Sequence, residues 1–186
     1  MGFSKLVYLT SFLFGLADAQ LGLSDGFTSF QTSAFSMQLV KDSQTLYSLM
    51  PSGSTFNFIP SDKMSLRQAN GRYHLGDITF RARQAGSSNW VSGDTSTNRH
   101  TLTPLSVSGN TLAAANLAPT LPSGSLLNIT RRWVNQNGQV QLLFDVKNSQ
   151  NVAVEIGSLG APLEFNNVNK DPPEALLLLT ICSDFY

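Results

Sequence analysis

Two stretches of this chain hold residue types whose spacing could do chemistry. The first is Trp90-Val91-Ser92-Gly93-Asp94-Thr95-Ser96-Thr97. A tryptophan can stack on the apolar face of a sugar ring, while a nearby carboxylate and hydroxyls bind the ring's own hydroxyls. Loops carry such roles more often than strands do. The competing structural reading makes Trp90 a plug at the end of the fold and Gly93-Asp94 a turn. The second stretch is Asp77, Thr79, Arg81 and Arg83, spaced by two. On a strand that spacing puts all four on one face. Two arginines beside a carboxylate can grip an acidic sugar or another anion. As a solvated sheet face the same residues would pair charge with charge, and this reading weighs more. Trp90, Asp94, Arg81 and Arg83 are therefore the candidate carbohydrate contacts.

Other chemistries find less in the sequence. His74 and His100 are the only histidines and Cys182 the one cysteine. No ligand spacing joins them, so neither a metal nor another cofactor is expected. A single cysteine also excludes an intramolecular disulfide framework. With 23 serines in the chain, an assembled Ser–His–Asp set would carry no information. Glycoside hydrolysis needs two carboxylates about 5–10 Å apart across the scissile bond. Glu155 alternates outward between Val154 and Ile156, and Glu164 follows Pro162-Leu163. Both read as structural, and no catalytic residue is assigned.

The elements that must position these residues show a period of two. Val140, Leu142, Phe144 and Val146 alternate with polar residues, as in a half-buried strand. Asn137-Gly138 precedes that strand, and Asn-Gly favours the positive φ angles of a tight hairpin turn. The partner strand runs from Leu127 to Val134, with Leu127, Ile129, Arg131 and Trp133 on one face and Asn128, Thr130 and Arg132 on the other. Val152, Val154 and Ile156 continue the alternation, which reads as a three-strand meander. Upstream, Phe35, Met37 and Leu39 alternate, Phe56 and Phe58 flank Asn57, and Ile78, Phe80 and Ala82 alternate with polar neighbours. Thr101–Val107 and Thr111–Leu117 add two weaker strands. No window makes a long amphipathic helix. Short strands separated by Gly, Ser and Asn predict an all-β fold, an antiparallel β-sandwich.

The chain has 12 Lys plus Arg against 12 Asp plus Glu, so its net charge is zero. It lacks the basic face that phosphate contacts need, so nucleic acid is not an expected partner. Met1–Lys5 is a short basic start, Leu6–Leu16 an apolar run, and Ala17-Asp18-Ala19 a small-x-small cleavage site. This is the plan of a secretory signal peptide over residues 1–19, with the mature chain starting at Gln20 and an extracellular location. The apolar run is too short for a membrane span, which needs roughly 20 residues. Asn128-Ile129-Thr130 is then a glycosylation sequon on the polar side of its strand, used or unused. At the other end, Asp171-Pro172-Pro173 halts any strand, and Leu176–Cys182 is an apolar run close to the last residue. It reads either as a last buried strand or as an atypical tail, over 168–186, left by truncation; truncation is the favoured expectation.

Gly26-Phe27 with Phe35-Ser36-Met37, Gly71-Arg72-Tyr73-His74-Leu75-Gly76-Asp77, Phe144-Asp145-Val146-Lys147-Asn148, and the run Val154 to Asn167 together resemble the N-terminal part of a large secreted fungal family, DUF5695. Its members resemble six-hairpin glycosidases, in which a supersandwich similar to galactose mutarotase precedes an (α/α)6 barrel. The resemblance covers about Gly22 to Asn167. It implies one incomplete sandwich over residues 20–167 without the barrel that carries the acid and base. The expected function is that of the N-terminal sandwich of a secreted glycoside-hydrolase-like protein, associated with polysaccharide or oligosaccharide and not itself catalytic. The alternative is a secreted β-sandwich that binds a protein, as an effector does, without enzymatic activity. That alternative expects an exposed apolar patch, where the first expects a polar groove with an aromatic floor.

Overall fold

The computed structural model describes residues 26–59 and 73–162. The leader, Gly71-Arg72, Glu164 and the run Leu176–Cys182 lie outside the described residues. The described chain is all-β and sandwich-like, with nine strands in three antiparallel sheets. Strands β1 (Phe27–Gln31), β2 (Phe35–Val40) and β3 (Leu46–Pro51) form the first sheet in chain order. The second has the order β5-β4-β9, from β4 (Thr79–Gln84), β5 (Val91–Asp94) and β9 (Val154–Gly160). The third has the order β6-β7-β8, from β6 (Thr111–Asn116), β7 (Leu127–Gln136) and β8 (Gln139–Asn148).

The β7–β8 hairpin is the longest pairing, in register from Gln136↔Gln139 to Leu127↔Asn148. Asn137 and Gly138 have φ of 52° and 83°, the positive pair that a two-residue hairpin turn requires. Its inner face serves two cores. Leu127 and Ile129 of β7, with Phe144 and Val146 of β8, pack with Ile78, Phe80 and Ala82 against the second sheet. Trp133 of β7, with Val140 and Leu142 of β8, packs with Phe35, Met37, Leu39 and Leu46 against the first sheet. Each fully buried aliphatic side chain here contributes roughly 1.5–3 kcal/mol.

Arg131 lies on that same inner face, between the two cores, and is 2% exposed. Its Nη1 donates to the Gly76 carbonyl at 2.7 Å and its Nη2 to the Ser43 carbonyl. Burial is the main cause that lowers the guanidinium from its ordinary range to about 10; Asp77 opposes the shift and Arg99 adds to it. The group therefore stays charged at neutral pH. Between about 10 and the ordinary range of a guanidinium the native state releases this proton before the unfolded chain does. Its contribution to stability is thus flat below that window and rises with pH within it.

Three expectations are corrected. The meander ends at β8, because β9 crosses to the other sheet and pairs with β4, as in Arg83↔Glu155 and Phe80↔Leu159. Thr101–Val107 forms no strand; a single bridge joins Pro104 to Ala115, and proline has no N–H to extend a ladder. Phe56 and Phe58 belong to no strand; the Asn57 side-chain oxygen between them accepts the N–H groups of Leu49 and Ile59.

Candidate functional site

The outer face of β5-β4-β9 brings the candidate residues together. Phe80 and Ala82 point inward and are buried, so Thr79, Arg81 and Arg83 point outward. Antiparallel pairing sets Ser92 opposite Arg81 on β5 and Ser158 opposite Arg81 on β9. Gly93 lies over Phe80 so closely that an added Cβ would stand 2.1 Å from the ring, which keeps β5 tight against the core. Val91 and Gly93 thus face in, while Trp90, Ser92 and Asp94 share the outer side.

Trp90 lies across this face. The guanidinium carbons of Arg81 and Arg83 sit 4.6 and 4.5 Å from its ring centroid. A Cβ at Gly157 of β9 would come within 2.7 Å of the same ring, so the glycine makes the seat. The ring is half-buried and part of its surface reaches solvent. The expectation that Trp90 plugs the end of the fold does not describe it. Arg83 also pairs with Glu155 at 2.6 Å, an exposed ion pair.

Asp94 stands at the far end of β5. Four residues at about 3.3 Å each separate it from Trp90, roughly 13 Å. One carboxylate oxygen accepts the Tyr73 hydroxyl at 2.9 Å and the other accepts the Ser96 N–H at 2.9 Å. The hydrogen bond to Asp94, and then its negative charge, hold the Tyr73 phenol above its ordinary range. Beside Asp94 opens a cleft of about 260 Å³, lined by Ser92, Asp94, Thr97, Asn98, Thr120 and Pro122. Its far wall comes from the 3-10 turn Ala118–Thr120.

Asp77 does not join the outward stripe. It precedes β4, in the turn where Gly76 has φ of 114°, and it is 1% exposed. Its carboxylate accepts Arg99 Nη1 at 3.2 Å and Nη2 at 2.7 Å, the His74 N–H at 2.7 Å and the Thr95 hydroxyl at 3.0 Å. The period of two holds only from Ile78 onward, because the backbone before it is not extended. Arg99 and Tyr73 were not legible as partners in the sequence. Each lies about twenty residues from the aspartate it meets, and no periodicity links such a pair.

Asn128 is exposed on the outer side of β7, opposite Lys147. Among the described residues no three His, Cys, Asp or Glu side chains group as a metal site.

A search of curated proteins and of solved structures finds no match to the chain. A family model does match, that of a family of unknown function, over residues 38–175. That span covers well over half of the sequence, including the core against the second sheet and the whole outer face around Trp90, and the chain belongs to the DUF5695 family.

Proposed function

We propose that this chain is the sandwich portion of a secreted, glycoside-hydrolase-like protein and that it holds carbohydrate on the outer face of β5-β4-β9. One observation carries the reading: Trp90, Ser92 and Asp94 share one side of an edge strand, with a cleft of about 260 Å³ beside Asp94. Ligand pockets commonly span about 300–1,000 Å³. This smaller, open cleft suits one sugar unit, with further units running along β5 toward the Trp90 ring. The hydroxyl and amide groups of Ser92, Thr97 and Asn98 are exposed and supply hydrogen-bond partners.

The role fits binding better than bond cleavage. Every described carboxylate already has a partner: Asp77 with Arg99, Asp94 with Tyr73, Asp145 with Arg132, Glu155 with Arg83, and Asp42 within its own contacts. In the glycosidase reading the acid and base stand elsewhere in the full-length protein. Secretion rests on the leader sequence, and it makes the exposed Asn128 a glycan acceptor.

The test is affinity electrophoresis of the protein recovered from culture medium, whose mass reports cleavage after Ala19 and any glycan on Asn128. Polysaccharide in the gel should retard the chain. Trp90→Ala should weaken that retardation about two- to tenfold, the range of one aromatic contact. Unchanged retardation in a folded Trp90→Ala protein sinks the reading. The second reading, a secreted protein-binding sandwich, is favoured by the exposed Val152, just before β9, and Ile156 on β9, an edge strand.

A further inference from the structure

We propose that this face selects glycans carrying a negative group, a uronate or a sulfate, and that Arg81 is the residue that holds it. The inference rests on the carbohydrate reading above and names its ligand class. The two arginines of β4 differ. Arg83 is neutralised by Glu155 at 2.6 Å. Arg81 is exposed and has no carboxylate partner among the described residues. Its guanidinium carbon lies over the Trp90 ring, 4.6 Å from the centroid. A ring contact takes up no acceptor, and the guanidinium keeps the planar N–H fork that takes a carboxylate or sulfate by two parallel hydrogen bonds.

The surroundings suit an anion. The cross-strand neighbours of Arg81 are Ser92 and Ser158, both neutral, both exposed and both able to donate a hydroxyl proton. Ser92 also lines the cleft, so the anion point and the cleft adjoin. The Asp94 carboxylate at the other end of the cleft repels a negative group. Glu155 repels it from the Arg83 side. Between these two carboxylates, Arg81 is where an anionic substituent rests, with its sugar ring extending into the cleft.

The experiment is affinity electrophoresis in polygalacturonate and in dextran sulfate, each against its neutral counterpart, methyl-esterified pectin and dextran. Retardation by at least one charged polymer should exceed that of its neutral counterpart by about fivefold at low salt, the upper range of an exposed ion pair. The preference should vanish near 1 M salt, where screening acts over about 3 Å. Which of the two charged polymers binds separates uronate from sulfate. Arg81→Gln should abolish the preference, and Arg81→Lys should restore only part of it, since lysine lacks the fork. Lys147→Gln removes the same charge from an exposed site on β8 and should change nothing. Equal retardation by charged and neutral polymers, or equal effects of Arg81→Gln and Lys147→Gln, overturns the inference and leaves carbohydrate binding standing. No retardation by any of the four polymers overturns the carbohydrate reading itself.

Discussion

Asp77 and Arg81 lie four residues apart, yet one is sealed between two cores and the other stands in solvent. Around Asp77, every carboxylate oxygen is used, by Arg99, Thr95 and a backbone N–H, and Arg131 caps two carbonyls close by. Around Arg81, the guanidinium touches a ring and keeps its donors for something else. The buried set has the features of a structural joint. It ties the turn at Gly76 to the loop at Arg99 and to the middle of β7, the point where the two cores meet. The exposed set is the face proposed for recognition, where Gly157 seats the Trp90 ring and hydroxyls lie between the charges. A charged residue thus reports structure or function through the number of its donors and acceptors already engaged, rather than through its type.

The sharpest way to break this comparison is at the joint. Asp77→Ala leaves Arg99 and Arg131 near each other without their shared counter-charge, and removing one partner of a buried pair costs about 3–5 kcal/mol. Chemical denaturation should show that loss, a large part of the 5–15 kcal/mol typical of a domain. A loss below about 1 kcal/mol would mean that the cluster is solvated and the contrast with Arg81 false. At the other end, Glu155→Gln breaks an exposed pair whose partners are 31% and 44% accessible. It should change stability by only about 0–1 kcal/mol. Its effect should show instead in retardation by charged polymers, which should strengthen as Arg83 loses its partner.

Much of the framework was legible because it is local. The β7–β8 hairpin announces itself through Asn137-Gly138 and alternation on both sides, and even Arg131 falls on the inner face that its spacing assigns. The alternation of Ile78, Phe80 and Ala82 likewise gives the outward direction of Arg81 and Arg83. What escaped was long-range. Strand β9 carries the right pattern for pairing with β8, its neighbour in sequence, but joins β4 instead. Nothing in a period of two distinguishes those partners. The site suffered the same limit. The Trp90 loop was visible, but its seat on Gly157 and the far wall of the cleft at Thr120 and Pro122 come from distant segments.

The hairpin's long reach also sets a timetable. Two ten-residue strands joined by two residues can zip within about 1–10 μs, whereas the β4–β9 ladder must first bring together residues seventy or more positions apart. The spine that both cores share is therefore the first piece ready to fold, and the sheet that bears Trp90 is the last to close. Pulsed hydrogen exchange reads that order directly: amides of β7 and β8 should become protected before those of β9. In the opposite direction, β9 is the strand whose brief release would unseat the tryptophan while leaving the spine intact, so the proposed recognition face can fail without the protein coming apart.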